Sequence, residues 1–332
     1  MLDIFSTNDA FSLTSLTDSF IKMPFKPGQV GRSGLFRAGG ITRTTAVVEW
    51  KDGQLSLIQT APRGGVDKAP AGNVKSKIQS FLVPHLERNG TILADEVQNV
   101  RAFGSEDASL GVQTLVNDRL AELRADHEIT LEHMRIGAIQ GTVKDADGAT
   151  LLDLFTAFDV SQSTGTVSPN ASSDEGDALR GEIVAIQRTI EAVVGGAMPT
   201  GYRAFCGPDF FDTLRGDFGV TQTLRYADPA SLLQQNAGPR VFAFGGVIWE
   251  EYRGGTAYIA ADEAYVVPEG IDIFRTYYAP ADFLETVNTV GLPLYARTYP
   301  DPESRYVKVH TQSNPLAITL RPDAVVKVTI TT

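Results

Sequence analysis

The chain has 332 residues, enough for about two average domains or one large body with extensions. Hydrophobic residues make up 42% of the chain and charged residues 21%, so it can bury a sizeable core, which excludes a wholly disordered or fibrous protein. Forty acidic and 29 basic residues give a formal charge of -11, which argues against a dedicated nucleic-acid binder.

The charge is unevenly distributed along the chain. Residues 1–21 carry three acidic side chains and no Lys or Arg, whereas residues 22–101 carry 12 basic and six acidic side chains. The remainder, 102–332, carries 17 basic and 31 acidic side chains. A basic early segment is therefore joined to an acidic body, and a functional interpretation has to account for that division.

The cysteine count and the lengths of the apolar runs indicate the kind of cellular compartment in which the protein resides. Cys206 is the only cysteine, which excludes an internal disulfide and any multi-cysteine metal site and suits a reducing environment. The N-terminal MLDIFSTNDAF lacks the pattern of a secretory signal, and no apolar run approaches the roughly 18 residues of a membrane span. We therefore expect a protein that is made and kept in a cytoplasm-like environment, without membrane contact.

The first 80 residues have the composition of extensions. Residues 1–40 mix isolated apolar groups with turn formers, which indicates an arm that packs on something else. Residues 44–50 and 54–59 are β-rich runs around Asp52-Gly53, a strong hairpin signal. The following residues, 61–77, are basic and nearly free of large apolar groups, so we expect the hairpin to project from the body.

A long amphipathic helix is predicted from about 105 to 141. Ser105 is the expected N-cap, apolar residues recur at helical spacing, and Arg124 and Glu128 form an i,i+4 ion pair on the polar side. Such a helix is on the order of 50 Å long. Its length is typical of a spine that spans the body of a domain.

The remaining sequence alternates helices and strands and predicts an α+β fold. The expected elements are a hairpin over 142–158 turning at Asp147-Gly148, a loop or linker over 161–173, a helix from Ser172 to Gly195, a strand over 202–206, a short helix capped by Asp209, strands around Gly245-Gly246, and a terminal strand over 326–330. Antiparallel strands, one spine helix and two extended appendages are thus expected.

The motifs of common enzymes are missing from the sequence. There is no GxSxG elbow, GxxxxGK[ST] phosphate loop or GxGxxG turn, and no carboxylate pair is marked as catalytic. In HEITLEH, His127 and His133 lie six residues apart, about 240° around a helix, so they cannot chelate one metal ion. We interpret that stretch as a solvated helix face.

Three further features have ordinary structural explanations. Asp145-x-Asp147-Gly148 lacks the later ligands of a calcium loop and indicates a plain turn, and Cys206 in its apolar run indicates a buried thiol. The basic residues of the projecting hairpin are Arg63, Lys68, Lys75 and Lys77. Since no aromatic residues are interleaved with them, an acidic protein partner is at least as well favoured as nucleic acid. No catalytic, cofactor-binding or metal-binding residue is predicted.

A chain without a reactive site but with an arm, a projecting hairpin and a spine helix is suited to interlocking with copies of itself. Three stretches then carry a family resemblance. They are Phe81–His85 with Thr91–Val97 and Arg101–Gly104, next FCGPDFFDTLRG at 205–216 with the Gly245-Gly246 strand pair, and last Ala296–Pro300, Gln312–Leu316 and Arg321–Asp323. Together with the element order, they resemble the major capsid protein E family of lambda-like tailed bacteriophages.

The resemblance implies a Hong Kong 97 type capsid fold. It places an N-terminal arm at 1–40, an E-loop hairpin at 41–80, a peripheral domain at 81–165 and 285–332, and an axial domain at 166–284. It further implies a non-catalytic subunit that forms hexamers and pentamers, assembles with scaffold and portal proteins in the host cytoplasm, and encloses double-stranded DNA in the virion without sequence-specific binding. A decoration protein is an additional partner of such shells.

Two other interpretations stay open at the level of sequence. An encapsulin-like bacterial nanocompartment has the same fold, and a cytoplasmic hydrolase with an unrecognised carboxylate pair belongs to a different class. Covalent cross-links between a Lys and an Asn of neighbouring subunits occur in some relatives of the fold. No motif marks Lys68, Lys75 or Lys77 as such a donor, so we expect no cross-link and no cofactor.

Overall fold

The structure is a computed structural model. It describes residues 12–23, 28–51, 76–98, 108–170, 176–195, 197–226, 240–254, 258–303 and 305–331. Within these ranges, no helix has both the length and the apolar character needed to cross a membrane. The chain divides into two compact units, each built from separate stretches. Unit 1 comprises Met1–Ala46, Ser80–Arg135 and Arg275–Ala317, and unit 2 comprises Val47–Gln79, Ile136–Phe274 and Ile318–Thr332.

Helices and strands alternate along the described chain. The α-helices are α1 (Leu13–Lys22), α2 (Gln29–Ser33), α3 (Ala94–Gln98), α4 (Ala108–Gln140), α5 (Leu154–Phe158), α6 (Gly176–Val194), α7 (Pro208–Arg215) and α8 (Phe218–Tyr226). The strands are β1 (Arg37–Gly40), β2 (Thr45–Lys51), β3 (Ser76–Leu82), β4 (Leu86–Leu93), β5 (Thr142–Lys144), β6 (Thr150–Asp153), β7 (Ser163–Val167), β8 (Gly201–Cys206), β9 (Val241–Phe244), β10 (Val247–Glu251), β11 (Glu263–Glu269), β12 (Phe274–Tyr278), β13 (Tyr295–Pro300), β14 (Tyr306–Ser313), β15 (Pro315–Thr319) and β16 (Val326–Ile330).

Unit 1 is organised around a three-stranded antiparallel sheet in the order β13-β14-β4. Leu16 and Phe20 of α1 and Leu120 of α4 are buried in one cluster with Ile92 and Val309 of this sheet. The spacing of these residues puts one apolar face of each helix against one face of the sheet. A second sheet, in the order β1-β12-β15, has β1 parallel to β12.

Unit 2 contains a six-stranded mixed sheet in the order β7-β16-β11-β8-β10-β9. Central strand β11 is antiparallel to both β8 and β16, and its residues Ala264–Pro268 are all buried. Buried Trp249 of β10 stacks on Phe210 of α7 with ring centroids 6.0 Å apart. A sheet that is covered on both faces needs continuous rather than alternating apolar strands, as β11 has.

Helix α6 covers this sheet with the residues that the sequence pattern had indicated. Leu179, Ile183, Ile186 and Ile190 are all buried. Gly245, in the turn between β9 and β10, has φ of 63°, and a Cβ there would lie 2.9 Å from the Ile183 side chain. Glycine is therefore required both by the backbone conformation and by the close approach of the helix.

Several predicted elements are found at or near the expected positions. The spine helix is confirmed as α4 over Ala108–Gln140, the 142–158 hairpin as β5 and β6 with α5 following, and the terminal strand as β16. The predicted loop at 161–173 is wrong in part, because β7 lies within it and pairs in parallel with β16. Asp209 is not the cap of α7: Gly207 is the N-cap residue and Pro208 opens the helix.

The projecting hairpin is described only at its root. β2 and β3 form a two-stranded sheet, and residues 54–59, the predicted partner of the first run, lie outside the described residues. The assignment of arm, E-loop, peripheral and axial domains stays a prediction. The terminal strand β16, expected with the peripheral domain, pairs with β11, a strand within the range expected for the axial domain.

Candidate assembly surfaces

The predicted contact residues of the hairpin tip are mostly outside the part of the chain that the structure describes. Arg63, Lys68 and Lys75 belong to the segment 52–75, and Lys77 lies in β3 with its side chain outside the description. Ile78 and Leu82 of β3 are 70% and 76% exposed, whereas Phe81 between them is buried. Positions 78 and 82 lie on one face of the strand, so the root of the hairpin carries aliphatic groups toward solvent.

The N-terminal helix α1 is held by a charged side chain of α4. The Arg124 guanidinium donates hydrogen bonds to the carbonyl oxygens of Phe20 and Ile21, in the last turn of α1. Arg124 also forms the predicted ion pair with Glu128, at 2.6 Å, but both side chains are nearly buried rather than on a solvated face. A cation at the carboxyl end of a helix is stabilised by the helix dipole and by the unpaired carbonyls there.

The next helix, α2, is held at its amino end by a negatively charged side chain of α4. The Glu132 carboxylate accepts hydrogen bonds from the backbone N–H groups of Val30, at 2.6 Å, and Gly31, at 3.0 Å. Glu132 is itself buried, so its charge is compensated by the free donors in the first turn of α2. A Cβ at Gly28 would overlap the Glu132 side chain, so glycine there allows the close approach.

His127 shows that the HEITLEH stretch is not a solvated face, which corrects that interpretation. Its ring is buried, lies edge-on to Phe20 and shares a 3.0 Å hydrogen bond with the Thr311 hydroxyl of β14. Desolvation by burial lowers the pKa of His127 to about 4. Among the residues that the structure describes, no group of three or more His, Cys, Asp or Glu side chains could hold a metal ion.

Strand β14 carries a run of buried polar side chains into Asn314. His310, Thr311, Gln312, Ser313 and Asn314 are all buried. Because side chains alternate along a strand, Thr311 lies on the face that α4 covers, while His310 and Gln312 lie on the other. This run includes the QSN sequence that carried part of the resemblance. Within one chain, these side chains form hydrogen bonds with polar groups of segments that are distant in sequence.

The segment after β12 is fixed by hydrogen bonds to its neighbours in unit 1. The Thr286 hydroxyl donates to the Ala281 and Phe283 carbonyls, and the Gly291 backbone N–H donates to the Ile41 carbonyl at 2.9 Å. These hydrogen bonds, together with the burial of Phe283, hold the segment in one conformation. We call residues 282–292 the exposed apolar loop, for the side chains that it presents.

Four aliphatic side chains of the exposed apolar loop face solvent. Leu284 is 93% exposed, and Val287, Val290 and Leu292 are 60%, 58% and 40% exposed. A cavity of about 590 Å³ adjoins the loop and is lined by Leu82, Pro84, Ala281, Phe283 and Val287 among others. Exposed apolar groups that are clustered and rigidly held are typical of a surface that another protein covers.

The two other features considered from sequence are structural. Cys206 is buried, and burial raises the pKa of its thiol, so it is not a reactive nucleophile. Asp145 and Gly148 close a tight turn, in which the Gly148 N–H donates to the Asp145 carbonyl at 3.0 Å and Gly148 has φ of 88°. The plain turn predicted there is confirmed.

Sequence reasoning did not identify Glu132, Arg124 or the exposed apolar loop as functional. Glu132 and Arg124 were assigned to a polar helix face, and their partners lie about 100 positions earlier in the chain. One signal was present: LETVNTVGL at 284–292 places aliphatic residues at irregular intervals among polar ones, which fits neither a strand nor a helix period.

Comparison with known proteins gives the family. The profile of the family described as phage major capsid protein E matches residues 12–330. The major capsid protein of Pseudomonas phage KPP10 is 27% identical over 98% of this chain and 99% of its own length. That of Salmonella phage Felix O1 is 24% identical, over 97% of each chain.

A solved structure supports the fold independently of sequence. The capsid protein of cyanophage A-1(L) superposes with a TM-score of 0.50 at 12% identity, over 93% of this chain and 94% of that chain. The predicted tailed-phage capsid fold of α+β class is thereby confirmed. The chain belongs to the phage major capsid protein E family, and it is a structural subunit of an icosahedral phage shell rather than an enzyme.

Proposed function

We propose that the chain forms hexamers and pentamers, that these assemble with scaffold and portal proteins in the host cytoplasm, and that the finished shell encloses double-stranded DNA without sequence-specific contact. Family membership and the closed symmetry of shells built from one chain support this proposal. The formal charge of -11 favours a container that does not adhere strongly to its nucleic acid. A decoration protein is an optional further partner.

Within that shell we assign residues 1–40 to an arm, 41–80 to the E-loop, 81–165 with 285–332 to the peripheral domain, and 166–284 to the axial domain. The hydrogen bonds that anchor α1 and α2 on α4 support an arm that is bound by the body of a subunit. The two-stranded root formed by β2 and β3 supports a hairpin that extends from it.

The observation that carries the assembly proposal is the exposed apolar loop. Its four aliphatic side chains are exposed on a hydrogen-bonded backbone, and in an icosahedral shell every copy of the chain carries the same loop. Each side chain that becomes fully buried contributes about 1.5–3 kcal/mol. We propose that another copy of the chain covers this loop in the shell.

The test is a double substitution, Leu284→Ser with Val290→Ser. We expect the subunit to unfold at the same temperature as the parent protein but to need a subunit concentration at least about tenfold higher for shells to form, since two apolar contacts are lost. Negative-stain electron microscopy and light scattering measure assembly, and circular dichroism measures unfolding. The matched control is Met198→Ser, which removes a single side chain that is 87% exposed in unit 2.

Normal shells from the Leu284→Ser, Val290→Ser protein at the parental concentration would contradict this use of the loop. A protein that gives only small oligomers, even when it is co-expressed with its scaffold and portal, would contradict the proposed hexamers and pentamers.

The basic hairpin tip is a second proposed contact. We infer that Arg63, Lys68, Lys75 and Lys77 face acidic surface on a neighbouring subunit, because the early segment is basic and the rest of the chain acidic. Changing Lys68, Lys75 and Lys77 to Glu should impair assembly and leave the fold of the subunit intact. Each exposed pair is worth only about 0–1 kcal/mol, so the effect depends on repetition and weakens in salt. Normal shells from that protein would refute the inference.

A further inference from the structure

The hydrogen bonds of His310 define its tautomer. The Asp282 backbone N–H, which can only donate, is 3.0 Å from Oε1 of Gln312, so the amide of Gln312 must point its oxygen at Asp282. The amide nitrogen of Gln312 then lies 2.7 Å from Nε2 of His310. Since an amide nitrogen is only a donor, Nε2 of His310 carries no proton and accepts this hydrogen bond.

The other ring nitrogen completes the network. Nδ1 of His310 carries the proton and donates to Oδ1 of Asn89 at 2.6 Å, and the Asn89 amide nitrogen donates to the Glu87 carboxylate at 2.7 Å. Every group from Glu87 to Asp282 thus has one orientation only. The direction of hydrogen bonding is fixed at one end by a backbone N–H and at the other by a carboxylate.

We propose that His310 is a proton-operated switch that holds the exposed apolar loop when it is neutral and releases the Asp282 end of the loop when it is protonated. A proton from solvent at Nε2 would bring two donors, the ring N–H and the Gln312 amide, face to face. Rotating the amide relieves that contact but turns its NH₂ group toward the Asp282 N–H. The rotation that relieves the donor–donor contact therefore takes the acceptor away from the Asp282 N–H, and a partly buried backbone donor without an acceptor is unfavourable.

The bond between Gln312 and Asp282 links the protonation of His310 to the exposed apolar loop. Asp282 begins the exposed apolar loop, and the ring of Phe283, the next residue, packs edge-on against His310 with centroids 5.7 Å apart. Loss of the Asp282 bond therefore loosens the loop at the end nearest the cavity. The switch itself is a property of a single chain, and only its effect on contacts between copies rests on the function proposed above.

The charged and titratable groups around His310 act in both directions. They are Glu87 of β4 at 3.3 Å, Lys308 on the same strand, Arg297 and Tyr299 on the paired strand β13, the latter with its ring centroid 5.8 Å from that of His310, and His85 ahead of β4. Burial, the largest effect, lowers the pKa of His310 from its ordinary value of 6.5, and the carboxylate of Glu87 opposes that shift. His310 is thus neutral at neutral pH, and the switch responds to acid.

Hydrogen exchange followed by mass spectrometry tests the switch on the full-length chain. Between about pH 7.5 and pH 4.5, after correction for the intrinsic exchange rates, we expect peptides covering residues 281–292 to exchange about tenfold faster, the equivalent of one lost hydrogen bond. Circular dichroism at the lower pH verifies that the chain is still folded. NMR of the four histidine Cε1–H groups should show one histidine titrating with the same midpoint as the change in exchange.

Three variants separate the switch from general acid sensitivity. His310→Gln should abolish the pH-dependent change in the loop, and His133→Gln, at a histidine of α4 outside the network from Glu87 to Asp282, should leave it unchanged. Gln312→Met keeps the volume of the side chain and should give the fast exchange at both pH values. A pH-dependent change that persists in His310→Gln, or a wild-type loop that exchanges equally at both pH values, would overturn the switch. These readouts need no shells, so failure of the proposed loop contact would not be mistaken for failure of the switch.

Discussion

The two units of the chain are stabilised in different ways. Of the sixteen buried polar or charged side chains found among the described residues, fourteen belong to unit 1 and only Asp217 and Thr319 belong to unit 2. Unit 2 is a sheet covered by apolar helices, with Trp249, Phe205 and Phe210 among its largest buried side chains. Unit 1 combines a smaller apolar cluster with directional bonds from charged and amide groups.

Both units are assembled from three stretches of the chain, but in unit 1 buried polar side chains bind a stretch other than their own, as Glu132 does with the backbone of α2. Hydrophobic burial is non-directional, whereas a hydrogen bond fixes both the partner and the geometry. Unit 1 is therefore specified to a larger extent by directional bonds, and unit 2 by apolar packing.

The largest expected effect is in unit 2. Trp249→Ala removes a fully buried ring that stacks on Phe210, together with its hydrogen bond to the Phe244 carbonyl, and should lower the free energy of unfolding by about 3–5 kcal/mol. Urea denaturation followed by circular dichroism measures the loss. Tyr306→Ala, at a residue that is 39% exposed, is the control and should cost less than about 1 kcal/mol. Equal losses for the two would show that apolar packing does not dominate in unit 2.

An intermediate effect is expected from acid in unit 1. His127 has a pKa of about 4 in the folded chain, against 6.5 for an ordinary histidine, so the unfolded chain binds the proton more readily. The stability that depends on neutral His127 is complete above pH 6.5 and is lost as the pH falls toward 4, by about 2–3 kcal/mol. Urea denaturation at a series of pH values measures this slope.

The His127 prediction has a matched control on the same helix. His127→Gln, which cannot titrate, should remove most of that pH-dependent loss, whereas His133→Gln should leave the slope as it is. An unchanged slope in His127→Gln would mean that the buried polar residues of unit 1 are not what makes it sensitive to acid.

The smallest expected effect concerns a turn that sequence alone identified. Gly148 has φ of 88° with open space around the position of a Cβ, so Gly148→Ala is opposed only by backbone conformation and should cost about 1 kcal/mol. Gly181→Ala, in the exposed face of helix α6 and also without steric obstruction, should instead stabilise unit 2 by up to about 1 kcal/mol. Thermal unfolding measures both, and a shared sign would contradict the conformational explanation.

Local patterns predicted much of the fold. The apolar spacing of α6, the turn at Asp147-Gly148 and the alternation in β16 each depend on residues close in sequence, so they are visible without a structure. The long helix α4 was predicted for the same reason. The order of helices and strands predicted the α+β class, and the family resemblance then supplied the capsid fold within that class.

The rest depended on partners that are distant in sequence. β7 was predicted as a loop because Ser163–Val167 is rich in Ser, Thr and Gly, and only pairing with β16, more than 150 positions later, makes it a strand. Arg124, His127 and Glu132 have the composition of a solvated helix face, and their burial becomes evident only when α1 and α2 are in place. The contact residues proposed for the hairpin tip remain predictions.

The two charges that hold the N-terminal helices have a consequence for chain direction. Arg124 meets the carboxyl end of α1 and Glu132 meets the amino end of α2, and the two residues are eight positions apart on α4, about 12 Å along its axis. If the segment of α1 and α2 ran in the opposite direction, the Arg124 guanidinium would face backbone N–H groups and the Glu132 carboxylate would face backbone carbonyls. The positions of the two charges on α4 therefore favour one direction of the N-terminal segment and disfavour the opposite direction.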